Sequence, residues 1–242
     1  DFYENQALFP KYLRDYVNEN DVVPGEGMFK NFKGSSARDW SFVTGLITFR
    51  PNKFFDFQFG QGKNFIGDGY RSLLLSDNAF TYPFLKITTS VWKLKYVNLF
   101  TQMSDIRATN PSGTFVKKYV SAHYLSINIG KRLNVGLFES VVYEDSTGTR
   151  GYDINYLNPI IFYRPVEFAT GSTNGNVLIG LNLKYKLTND FHLYGQVVFD
   201  EFNFGEIRAG NGWWANKFGF QLGGKIYDAL IDGLTIQSEF NI

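Results

Sequence analysis

From Val177 to Leu187 apolar side chains fall on every second residue: Val177, Ile179, Leu181, Leu183, Tyr185 and Leu187, with Gly180, Asn182, Lys184 and Lys186 between them. A helix cannot use this pattern, because its side chains return to one face every three or four residues; a strand with one apolar and one polar face can. The same alternation sets Phe55, Phe57 and Phe59 against Asp56 and Gln58, and Leu85, Ile87 and Val91 against Lys86, Thr88 and Ser90. It recurs at Leu125 to Ile129, Phe218 to Ile226 and Leu234 to Ile242, and more weakly at Trp40 to Arg50, Lys95 to Met103, Leu133 to Val142 and Phe191 to Asp200. The chain therefore predicts ten strands of about 9–12 residues, longer than the roughly 5–6 usual in soluble proteins. All-β architecture follows.

The connections alternate in length. Pro51 to Lys53, Trp92 to Leu94, Lys131 to Arg132, Thr188 to Asp190 and Asp228 to Gly233 are short; 60–83, 104–116, 144–176 and 201–216 are long. In an up-and-down meander every second connection lies on the same rim, so the short turns share one rim and the long loops the other. Barrels of the bacterial outer membrane have this asymmetry.

Composition narrows the choice. The 242 residues carry 24 Lys+Arg against 23 Asp+Glu, no Cys, two His, 25 Phe and 15 Tyr. Near-neutral charge removes a dedicated nucleic-acid binder, and the missing Cys removes a disulfide scaffold or a thiolate zinc site. No metal site and no cofactor are expected. No apolar run reaches the roughly 18 residues that a spanning helix needs. Phe-rich outward faces and interior positions such as Lys184, Lys186, Lys217, Lys225, Gln196, Gln221 and Glu239 suit a barrel with lipid outside and water inside. Period two does not say which face is which, so a soluble barrel with a ligand cavity stays as an alternative.

The expectation is a transmembrane antiparallel up-and-down β-barrel over 40–242, preceded by an N-terminal segment, 1–39, on the long-loop side. Met28 to Lys33 is a candidate extra strand there. With both chain ends on the long-loop side, the ten strands read as part of a larger barrel.

Two loops carry a family resemblance. GQGKNFIGDGYRSLLLSDNAFTYPF, from Gly60 to Phe84, follows a strand end reading FRPNK from Phe49 to Lys53, and YLNPIIFYRPVEF runs from Tyr156 to Phe168. The chain resembles the Wzi-like capsule-assembly outer-membrane barrels, and among them the gliding-motility-associated members of the RemB type. The resemblance covers most of 38–242. It implies a non-enzymatic barrel in the bacterial outer membrane that supports attachment or assembly of surface polysaccharide, or cell-surface adhesion and gliding motility. Implied partners are outer-membrane lipid, surface polysaccharide and other outer-membrane secretion or motility components.

The candidate glycan contacts fall in the loops. Gly60, Gly62, Gly67 and Gly69 match neither the Walker nor the dinucleotide spacing and mark a folded loop. An Arg71–Asp77 pair across it would leave Tyr70, Asn78 and Tyr82 to line a pocket. Asp200 and Glu201, with Trp213 and Trp214 beyond them, form either a sugar platform, since indole stacks on apolar sugar faces, or an aromatic girdle. Arg164 and Glu167 divide between a loop-tethering pair and a glycan contact. His123 has Ser121 on its own face and no carboxylate two residues away, so catalysis is not expected. A basic lumen wall at Lys184, Lys186, Lys217 and Lys225 would favour anionic solutes or acidic glycans. The blander expectation is that Glu239 and Asp200 neutralise it. A porin-like solute channel is the main functional alternative, and it differs from the polysaccharide reading in whether the long loops fold inward.

Overall fold

A computed structural model describes residues 10–23, 25–31, 38–109, 115–145, 151–160, 175–200, 204–210 and 217–242. Helix α1 (Lys11–Asn20) and strands β1 (Val22–Val23), β2 (Gly27–Asn31) and β3 (Arg38–Trp40) form a small N-terminal unit. Then come β4 (Gly45–Phe49), β5 (Phe55–Gly62), β6 (Tyr82–Val91), β7 (Leu94–Thr109), β8 (Phe115–Ile129), β9 (Leu133–Asp145), β10 (Asn176–Lys186) and β11 (Phe191–Phe199). A short helix α2 (Phe204–Ala209) precedes β12 (Phe218–Ile226) and β13 (Ile236–Asn241).

Strands β4 to β13 make one ten-stranded sheet in sequence order, every neighbour antiparallel. The ten alternating segments are its ten strands. Among the described residues β4 and β13 do not pair with each other, so the sheet has two edges and is not a closed barrel. Two bounds differ from expectation. The loop expected at 104–116 is largely strand: β7 runs to Thr109 and β8 starts at Phe115, with a bulge between Asp105 and Thr109. Apolar alternation fades there, but backbone pairing continues, with Ser104 opposite Lys117, Asp105 opposite Val116 and Thr109 opposite Phe115. The Met28 to Lys33 segment does contain a strand, β2, yet it pairs with β1 and β3 rather than with the large sheet.

The two faces of the sheet are inverted relative to a soluble core. Asn182, Gln196 and Gln221 are 0–3% exposed, while Leu183 and Leu222, the next residues along their strands, are 40% and 62% exposed. The apolar face points outward and the polar face is covered. What covers it is the long β5–β6 connection, which folds back over the sheet. Ile66 and Leu74 of that loop join Tyr82, Phe84, Leu99, Ala122 and Phe138 in a buried cluster.

The loop makes the sheet curl. Asn64 N donates to the Tyr82 hydroxyl on β6, and Tyr70 N donates to Glu239 on β13. In a flat sheet β6 and β13 would lie about 34 Å apart at about 4.8 Å per strand. Six residues of fully extended chain reach about 21 Å. This stretch is not extended, since Ile66 and Leu75 form an antiparallel bridge. The strands must therefore bend round the loop.

Glycine admits one close approach needed for that curvature. Tyr194 lies opposite Gly223 in the ladder, and its ring occupies the place a Cβ on Gly223 would take. Gly223→Val would push the ring away and destabilise the sheet by about 1–3 kcal/mol, as overpacking of an occupied site does; urea unfolding of the two proteins side by side is the check.

Candidate functional site

The polar side chains of the inner face meet at one height because the register aligns them. Gly136, Asn182, Gln196, Gln221 and Asn241 lie in one row across β9 to β13. Gln196 Nε2 donates to Asn182 Oδ1 at 3.1 Å, and Gln221 Nε2 donates to Asn241 Oδ1 at 2.8 Å. The row also holds the loop backbone. Leu73 N donates to Gln196 Oε1 at 2.8 Å, Gln221 Nε2 donates to the Arg71 carbonyl at 2.9 Å, and Asn182 Nδ2 donates to Asp68 Oδ2 at 2.8 Å. Ser72 Oγ donates to the Ile66 carbonyl and closes the turn. Buried amides cost free energy unless bonded, so the row and the loop stabilise each other.

Two charges complete the attachment. Asp68 takes Lys184 Nζ at 2.6 Å. Glu239 accepts from Tyr70 N at 2.8 Å, Arg71 N at 3.2 Å and the Tyr194 hydroxyl at 3.0 Å.

The glycan candidates do not converge. Tyr70 and Arg71 sit where the loop reaches β13, bound through their backbones; the Tyr70 ring is exposed with the Arg71 guanidinium 5.9 Å from its centroid. Arg71 and Asp77 make no ion pair among the described residues, because Arg71 is held at the far strand by Glu239 and Gln221. Asn78 lines a cavity of about 480 Å³ with Tyr16, Val22 and Gly25, so it faces the N-terminal unit. Lys63 ties that unit down by donating to the Gly25 carbonyl at 2.8 Å. Asp200 lies at the long-loop rim, 3.9 Å from Lys217. Arg164, Glu167, Glu201, Trp213 and Trp214 lie outside the described residues.

The expected neutralisation of the basic wall holds for Lys217, beside Asp200, and is corrected for Lys184 and Lys186. Glu239 is engaged by the loop and Asp200 is at the opposite rim, so neither faces Lys184 and Lys186. These two instead share a cavity of about 650 Å³, between the loop and the short-turn rim, with Lys86, Lys95, Lys131, Arg132 and Asp68. Sequence reasoning placed Lys86 on the polar face but not beside Lys184. Only the curl brings β6 and β10 onto one cavity.

A second polar cluster lies on the outer face. His123 on β8 and Glu139 on β9 are register partners, with His123 Nδ1 3.9 Å from the carboxylate. The carboxylate absent along the strand is thus supplied across it. Both are buried, beside Ser121 and Asn98, and residues 151–160 pack against the neighbouring outer-face positions. Tyr152 meets Ser121, Asp153 N donates to the Tyr143 hydroxyl at 2.9 Å, and the Tyr96 hydroxyl donates to the Pro159 carbonyl at 2.7 Å. The Tyr156 ring lies 4.8 Å from that of Tyr143, tilted by 32°.

No family model, curated protein or solved structure matches the chain.

Two outcomes follow from these tethers. Glu239→Ala strips an acceptor from two loop N–H groups, costing about 1–3 kcal/mol, and frees the loop so that trypsin cuts after Arg71 while the parent chain resists. Burial pushes the Tyr152 hydroxyl up to about 12. The folded chain therefore holds its proton more tightly than the unfolded chain, whose tyrosines titrate near about 10. Tyr152's contribution is complete below about pH 10 and is lost as pH rises towards about 12, which phenolate absorbance and unfolding midpoints measure together; Tyr152→Phe makes that dependence shallower by one group.

Proposed function

We propose that this chain is barrel wall in a bacterial outer membrane, of the Wzi-like kind, that holds or guides surface polysaccharide, or serves adhesion and gliding motility, without catalysing a reaction. The observation that carries the reading is the inverted pair of faces with the Gly60–Phe84 loop bound across the inner one. An outward apolar face needs lipid or a partner to cover it, since water would make that much exposed Phe, Leu and Ile costly. An inward polar face needs water or a ligand. Ile47, Phe59, Leu222 and Phe240 all point outward, each more than half exposed.

The inward loop favours a polysaccharide-holding role over an open channel. It is bonded at Asp68, Tyr70, Arg71 and Leu73 to strands β10 to β13, so it lies where solute would pass. The buried His123–Glu139 pair on the outer face fits the same reading, since a carboxylate facing hydrocarbon is expensive and this one is covered.

Reconstituted in planar bilayers, the protein is expected to carry no steady ion conductance. Replacing residues 67–76 with a short glycine linker should open one. Steady conductance of the parent protein would count against the polysaccharide reading, and a folded, monodisperse state without detergent would remove the membrane reading altogether.

A further inference from the structure

The cavity beneath the loop has a charge that the chain as a whole lacks. The protein's formal net charge is +1, yet this cavity gathers Lys86, Lys95, Lys131, Arg132, Lys184 and Lys186 against one carboxylate, Asp68. Asp68 is taken by Lys184 at 2.6 Å. Among the described residues Lys86, Lys95, Lys131, Arg132 and Lys186 pair with no carboxylate. Lys86 donates to Asn64 Oδ1 at 3.2 Å, and the buried Nδ2 of the same amide has no acceptor. Gathered cations repel one another, and the two carboxylates near this wall, Asp68 and Asp56, are already paired with Lys184 and Arg50.

The shape matters as much as the charge. A neighbouring cavity, again about 650 Å³, shares Lys86, Thr88 and Lys95 with the first and adds Lys53 and Arg50. Arg50 is already paired with Asp56 at 2.6 Å. The two cavities together make a trough along the inner face from the β4–β5 turn to β10, with more room than a single small ion fills. Its lining is polar, with amides at Asn128 and Asn134 that suit hydroxyl groups, and Tyr124 offers an aromatic ring.

We infer that the trough between the inward loop and the short-turn rim binds an acidic oligosaccharide segment, whose carboxylate or phosphate groups replace the missing anions of the lysine wall. The assignment of a glycan rests on the proposed function; the need for an extended anion rests on the trough. Lys86 and Lys95, common to both cavities, are its centre. Binding at this position lies on the opposite side of the loop from the long-loop rim where Asp200 and Lys217 sit.

The test is calorimetry on the whole folded chain in uncharged detergent at low salt, with tetragalacturonate, a glycerol phosphate tetramer, maltotetraose and inorganic phosphate as probes. At least one acidic oligomer should bind, more weakly as salt rises, and the stronger of the two identifies the anion as carboxylate or phosphate. Lys86→Gln/Lys95→Gln should weaken it by at least about tenfold, while Lys217→Gln changes it by less than about twofold. Should the double variant fail to fold, Lys131→Gln/Arg132→Gln, at an exposed turn, should weaken the same oligomer by at least about threefold. Binding of maltotetraose as tightly as the acidic oligomers would overturn the inference. So would no oligomer binding, unchanged affinity in a folded variant, or inorganic phosphate matching the oligomers. A protein that binds the acidic oligomers through these lysines but never enters bilayers loses the membrane reading and keeps the trough. One that enters bilayers and binds only neutral glycan does the reverse.

Discussion

The row of amides at Asn182, Gln196 and Gln221 is the constraint on which the structure turns. Three amides lie side by side on three strands, buried, and each would be costly if left without partners. The loop supplies the partners through backbone groups at Arg71 and Leu73 and the Asp68 carboxylate. In return the loop, which has few internal bonds beyond the Ile66–Leu75 bridge and the Ser72 turn, is held in one path. The curl of the sheet, the cover over the inner face and the cavity beneath the loop all follow from that exchange.

The outer face obeys the opposite rule, and its exception is instructive. Many of its Phe, Leu and Ile side chains stay exposed; where β8 and β9 bring His123 and Glu139 together both are buried, and Tyr152 and Tyr156 pack on the nearby Ser121 and Tyr143. Polar groups on either face are thus covered by chain, whereas apolar ones outside are left to the surroundings. Tyr152 and Tyr156 serve this purpose because a ring covers area while its hydroxyl meets a polar group.

Much of the fold was legible from residues alone. Val177 to Leu187 could only be a two-faced strand, and nine more segments shared the pattern; all ten lie in one sheet in sequence order. The β7–β8 extension was missed because backbone pairing, rather than apolar side chains, sustains it. Of the glycan candidates, Tyr70 and Arg71 proved to be attachment points of the loop, and Asn78 a contact of the N-terminal unit. Lys86 and Lys184, almost a hundred residues apart, carried no signal of proximity.

By itself the sequence determined the strands, their order and which residues share a face, because side-chain period and loop length are local properties. Which face is inside, where the Gly-rich loop goes and which cations meet were decided only in three dimensions. Alternation is symmetric between faces, and only the binding of residues 68–73 to the amide row breaks that symmetry. The same binding bends β6 towards β10, so the lysine wall is a property of curvature that no spacing along the chain records.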